Sequence, residues 1–183
     1  MSNESQRPLS GIRVIGLEQY MSGPYCTMLL ADAGAEVIKI ERPGKGDPRR
    51  SIPPFAQRDG VKKAFGYMAY NRNKKSLSLN LKTEAGKEVF RKLAPTADVV
   101  LESFRPGVMD RLGLGWAPLH ALNPRLVYCA ISGYGQDGPY RDWPGHDPMG
   151  LAVAGLFHLA SDPGRAVAFP DIRSEEHTSE LQS

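Results

Sequence analysis

Two short apolar runs near the start of the chain, VIGL at residues 14–17 and VIKI at 37–40, have strand composition. Between them Cys26, Met28, Leu29, Leu30 and Ala33 recur at helical spacing, which predicts a helix over residues 25–33. Ser22 is placed to cap it, and Pro24 falls in the first turn, where its missing N–H costs nothing. Gly34 sits where a helix end favours a left-handed residue. Strand, helix and strand in this order make a βαβ unit with a right-handed crossover. Further on, residues 75–80 (KSLSLN) alternate as a strand. Thr83 can cap a helix over residues 84–93, with Val89, Phe90 and Leu93 facing inward. Residues 97–101 (ADVVL) read as a buried strand, and residues 126–131 (LVYCAI) as another, closed by a turn at residues 132–135. Short helical pieces are predicted at 107–112 and 118–122, and one apolar helix at about 149–159. Residues 44–70 are polar and rich in proline, with no clear period. A stretch that long inside a compact domain is either functional or mobile. Strands alternating with helices predict an α/β class: a Rossmann-like, mostly parallel sheet with flanking helices.

Composition narrows this little. With 183 residues, 41% of them hydrophobic and 23% charged, the chain is expected to form one domain with a real core. No apolar run reaches membrane-spanning length, and the start, MSNESQRPLS, lacks the apolar core of a signal peptide. The cysteines, Cys26 and Cys129, show no ligand or disulfide spacing and read as thiols of a reducing compartment, so a cytoplasmic location and no metal are expected.

The tail changes the picture more. RSEEHTSELQS, residues 173–183, is polar, non-periodic, and matches the in-frame translation of a common sequencing-library adapter. It carries one arginine against three glutamates, so the remaining residues carry +5 where the whole chain carries +3. The expected layout is an unordered start (1–7), an α/β ligand-binding domain lacking its C-terminal part (8–172), and an artefactual tail (173–183). A natural reading frame continuing past Ile172 into a further domain is expected. A charge of +5 spread along the chain, with no basic helical stripe and no aromatic RNA motif, argues against nucleic acid.

Ligands of open α/β sheets bind beyond the carboxyl ends of the strands. One such end carries Arg42, Lys45, Arg49 and Arg50. These suit either a solvated basic loop or a phosphate-bearing cofactor. No G-x-G-x-x-G follows the first strand and no G-x-x-x-x-G-K-[ST] is present, so neither common nucleotide fingerprint explains them.

The wording of several segments is more telling. SGPYCTMLLADAGAEVIKIERPGKGDPRR (22–50), NRNKKSLSLNLK (71–82), ADVVLESFRPGVMDRLG (97–113), NPRLVY (123–128) and SGYGQDGP (132–139) occur in this order. Together they resemble the class III CoA-transferases of the CaiB/BaiF type, a family that also includes acyl-CoA racemases. The resemblance covers residues 8–172 and implies coenzyme A or an acyl-CoA as ligand. By resemblance, Arg42 holds a phosphate end, Leu79, Asn80 and Lys82 line the adenine region, and Ser103, Phe104, Arg105 and Arg111 complete the pocket. These residue types suit the ligand, which needs cations for its phosphates and an apolar or aromatic face for its base. Read without the resemblance, Phe104 is equally a core residue, and Arg111 a partner for Asp110. Ser103 departs from the family's usual asparagine, and Met21 from a position that is often polar.

The resemblance also implies a reaction. An aspartate attacks the acyl-CoA thioester to form a mixed anhydride, CoA thiolate returns to give an enzyme thioester, and an acceptor acid repeats the exchange. Its position in AVAFPDI carries that role to Asp171. His146, in GHDP, matches the acid/base histidine of the family's racemases, where a following I-N-Y is replaced here by Pro148-Met149-Gly150. The function implied is a CoA-transferase acting on an acyl-CoA and a small carboxylic acid, as a homodimer at full length, with this shortened chain inactive. A 2-methylacyl-CoA epimerase and a non-catalytic CoA-binding module are the alternatives.

Overall fold

A computed structural model describes residues 7–145 and 147–159. In chain order the elements are β1 (Arg13–Leu17), α1 (Ser22–Asp32), β2 (Glu36–Glu41), β3 (Phe55–Arg58), β4 (Val61–Ala64), α2 (Phe65–Tyr70) and β5 (Lys74–Ser78). They continue with α3 (Glu84–Leu93), β6 (Val99–Glu102), α4 (Val108–Arg111), α5 (Trp116–Leu122), β7 (Val127–Ala130), α6 (Asp147–Val153) and α7 (Leu156–Leu159). Five strands form one sheet in the order β5-β2-β1-β6-β7, every neighbouring pair parallel. The α/β class and the strand positions expected from alternation are found. Strands added after β1 go first to one side and then to the other, so the order reverses between β1 and β6, where such sheets open a crevice.

Alternation gives the sheet two different faces. Ile15, Leu17, Ile40 and Val100 point into one core together with Phe90 of α3, Met109 of α4 and Leu119 of α5. Val14 and Val37 point the other way, against Ala31 of α1 and Ala35. Thr83 caps α3 as expected, its hydroxyl accepting the Gly86 N–H at 3.2 Å.

Several details differ from the sequence expectations. Met21, not Ser22, precedes the first turn of α1, and no side chain caps that end. Leu29 and Val89 are about half exposed, because the faces of α1 and α3 that meet the sheet are narrower than their apolar spacing suggests. The long polar stretch contains an antiparallel hairpin, with Phe55 opposite Ala64 and Arg58 opposite Val61, followed by α2. The turn residues Asp59 and Gly60 both have positive φ, as a two-residue hairpin connection requires. The last apolar helix is two pieces, α6 and α7, separated by Gly155 at φ 75°.

Candidate functional site: a cationic cleft at the carboxyl edge of the sheet

A cleft of about 210 Å³ opens where four strands end. β1 contributes Leu17 and, just past its end, Gln19; β2 contributes Ile40, Glu41 and, just past its end, Arg42; the segment after β5 contributes residues 79–82. Phe104, just past β6, and Val108, Arg111 and Leu112 of the α4 region close the other side. Backbone bonds hold these ends in place. The Leu79 N–H donates to the Glu41 carbonyl at 2.9 Å, and the Ser103 N–H to the Leu17 carbonyl at 3.1 Å. Asn80 sets the next turn, its Oδ1 accepting the Lys82 N–H at 3.0 Å. Gly86 lets α3 start directly against this turn, since a Cβ there would lie 1.9 Å from the Asn80 carbonyl oxygen.

Three cations, Arg42, Lys82 and Arg111, face this space beside an apolar wall of Leu17, Ile40, Leu79 and Phe104. The Arg42 Nε is buried and has no hydrogen-bond partner among the described residues. Glu41, the one acid among the described residues of the lining, is already engaged. Arg50 donates to both of its oxygens at 2.7 Å, with the Asp47 N–H and the Ser76 hydroxyl adding bonds at 2.9 and 2.8 Å. Burial alone would raise its carboxyl, but these donors hold it at about 2. The lining therefore combines cations without a local counter-charge and an apolar surface, which suits an anion attached to a ring or chain.

Behind the cleft, on the α1 side of the sheet, the cations are paired instead. Lys39 donates to Asp47 at 2.5 Å and to Asn71 at 2.8 Å. Lys74 donates to Glu18 at 3.2 Å and to the Pro24 carbonyl at 2.8 Å, and the Thr27 hydroxyl donates to Glu18 at 3.0 Å. Burial lowers the Lys74 ammonium to about 8, against the pull of Glu18. Asp47 also accepts the backbone N–H groups of Tyr20 and Arg49 at 3.2 and 2.9 Å. Tyr20 has φ 64°, so this carboxylate helps hold an unfavoured backbone turn next to Gln19.

Of the residues singled out from the sequence, Arg42, Leu79, Asn80, Lys82, Phe104 and Arg111 line one cleft. Ser103 and Arg105 do not belong to that lining. Ser103 is buried, and its hydroxyl accepts the Gln19 N–H at 3.2 Å. On a tight turn adjacent side chains diverge, and Phe104 takes the position facing the cleft. Asp171 and His146 lie outside the described residues. Gln19 was missed by sequence reasoning, although its place just beyond β1 at the reversal of strand order was an available signal. His120 stacks on Trp116, with ring centres 4.2 Å apart. Among the described residues no group of three His, Cys, Asp or Glu side chains is arranged to hold a metal, and no helix is long and apolar enough to cross a membrane.

Comparison with known proteins gives a consistent result. The sequence profile described as CoA-transferase family III matches residues 9–174. The succinyl-CoA–D-citramalate CoA-transferase of Chloroflexus aurantiacus is 44% identical over 164 residues, covering 90% of this chain and 40% of that protein. The human succinyl-CoA:glutarate CoA-transferase is 41% identical over 172 residues, covering 91% of this chain and 38% of its own length. The crystal structure of a CaiB/BaiF family protein from Brucella suis superposes with a TM-score of 0.82 at 39% identity, over 90% of this chain and 44% of that one. The chain thus spans about 40% of the length of the curated relatives it matches. A family profile over nearly all of the sequence, and a fold shared with a solved family protein, place this chain in CoA-transferase family III.

Proposed function

We propose that this chain is the CoA-binding part of a class III CoA-transferase, and that the cleft between β1, β2, β5 and β6 takes the nucleotide end of coenzyme A. The observation that carries the reading is the trio Arg42, Lys82 and Arg111, which faces a partly apolar cleft whose only described acid is neutralised by Arg50. Arg42, Lys82 and Arg111 meet the phosphates, and Leu79 and Phe104 offer a face to the adenine. Names of the relatives, succinyl-CoA transferases to hydroxy acids and dicarboxylic acids, support an acyl-CoA donor and a small carboxylic acid acceptor for the whole protein.

In that protein Asp171 is the nucleophile. Its carboxylate attacks the thioester carbonyl, forming an aspartyl anhydride and releasing CoA thiolate. The thiolate then attacks the aspartyl carbonyl, giving an enzyme thioester and freeing the donor acid. The acceptor carboxylate displaces the thiolate again, and the returning thiolate takes up the new acyl group and restores Asp171. The full-length enzyme works in the cytoplasm as a homodimer, and the present chain binds CoA without turnover.

Calorimetry with CoA tests the cleft. Arg42→Ala and Arg111→Ala are each expected to weaken binding by about tenfold while leaving the unfolding midpoint nearly unchanged. Unchanged affinity in both variants sinks the assignment. Trapping with hydroxylamine in the longer protein tests the chemistry, with modification expected at Asp171 only after acyl-CoA is added.

A further inference from the structure

Glu102 ends β6, is 4% exposed, and takes no part in the cleft lining. It follows Val100 on the same face of the strand, so its carboxyl enters the side of the sheet that is otherwise apolar. There its Oε2 accepts the Phe104 N–H at 2.7 Å, closing the turn by which the chain leaves β6. Tyr128, on the neighbouring β7, also acts on this carboxyl and favours its charged form. Two residues past Glu102 the Phe104 ring lines the cleft, and the chain runs on through Pro106 and Gly107 to Val108 and Arg111. On the other flank of the turn, the Ser103 hydroxyl is held by the Gln19 N–H.

Resting on the reading of the cleft as a CoA site, we infer that Glu102 is a positioning residue: its ionised carboxylate fixes the 102–105 turn and so presets Phe104 for the ligand, and protonation loosens both. A carboxylate bond to an N–H is roughly twice as strong as one to a neutral acceptor, so the charge state decides how firmly the turn is held. The groups facing Glu102 make that charge responsive near neutrality. Burial raises its carboxyl to about 7, the Phe104 N–H draws it down, Asp110 of α4 raises it again, and Tyr128 lowers it. Cys129 of β7 also feels the charge, and its thiol is pushed up mainly by burial. Ionised Glu102 therefore has the Phe104 N–H as its donor, with Tyr128 favouring the charge and Asp110 opposing it.

The test is a pH titration of the 183-residue chain, followed by the Phe104 amide resonance and by affinity. The amide is expected to titrate near pH 7 in the native chain, to be flat in Glu102→Gln, and to titrate higher in Tyr128→Phe, which keeps the carboxyl and removes the phenol that favours its charge. Affinity is read with dephospho-CoA, which lacks the 3′-phosphate that itself titrates near neutrality. Between about pH 6 and about pH 8, one unit either side of the Glu102 value, native binding should tighten about fivefold more than in Glu102→Gln. Binding that shares one pH slope in both chains overturns the role of Glu102 while leaving the cleft reading intact, as does a Phe104 amide that ignores pH. No binding of CoA or dephospho-CoA at any pH overturns the cleft reading, and this inference with it.

Discussion

Two glutamates end neighbouring parts of the sheet's carboxyl edge, equally hidden from water and oppositely shifted. Glu41 is 6% exposed and sits near 2, and Glu102 is 4% exposed and sits near 7. Burial pushes both upward and is the largest single influence on each. The outcome is decided by company. Glu41 has Arg50, Ser76 and a backbone N–H on the face shared with Lys39 and Lys74. Glu102 has one N–H and one phenol on the face of Phe90 and Leu119, with Asp110 opposing. One face of the sheet spends its cations on internal acids. The other leaves Arg42, Lys82 and Arg111 open at the rim for a ligand.

The strongest way to break this contrast is to unpair the ionic face. Lys39→Met leaves Asp47 buried without its cation and is expected to cost about 3–5 kcal/mol in urea unfolding. A loss below about 1 kcal/mol would mean that water already serves Asp47.

A second prediction sharpens the contrast through pH. Glu102 binds its proton more tightly folded than unfolded, so its contribution is full below about pH 4.5 and fades as pH rises through about 7. It amounts to about 3 kcal/mol at most, and Glu102→Gln should flatten the stability profile over that window. Glu41 runs the other way: its stabilisation is present above about pH 4.5 and is lost as pH falls toward about 2. The two slopes should separate in unfolding curves taken across the acid range, and Glu102→Gln should leave the acid limb alone. The smallest expected effect is on α3, where Thr83→Ala removes a cap with no ionic role and should cost about 1 kcal/mol at every pH.

Most of the sheet was legible because its strands carry unbroken or alternating apolar residues between clear helix signals, as β1, β2 and β6 do. The hairpin was not, since Gln57, Arg58, Lys62 and Lys63 give no apolar period. Asp59-Gly60 was its one plain mark. Nothing in the sequence marks Lys39 and Lys74 as buried, and only the packing of α1 and α2 over that face hides them. The cleft was readable for residues whose segments end a strand, such as Arg42 and Leu79. At the turn after β6 the sequence names three consecutive residues and cannot say which one faces inward. Phe104 does, and Ser103 turns back to hold Gln19.

One contact sets the distance between α1 and the strand edge. A methyl on Gly23 would fall 2.5 Å from the Glu18 Cβ and 3.0 Å from that of Ser103, so the helix lies as near the sheet as a missing carbon permits. Neither neighbour is the free end of a flexible chain, so there is nothing to swing aside. Any heavier residue at position 23 must lift the whole first turn of α1 and drag the Gln19 and Ser103 loops with it. At Gly44 and Gly60, by contrast, the space around the backbone is open and only the positive φ resists a side chain.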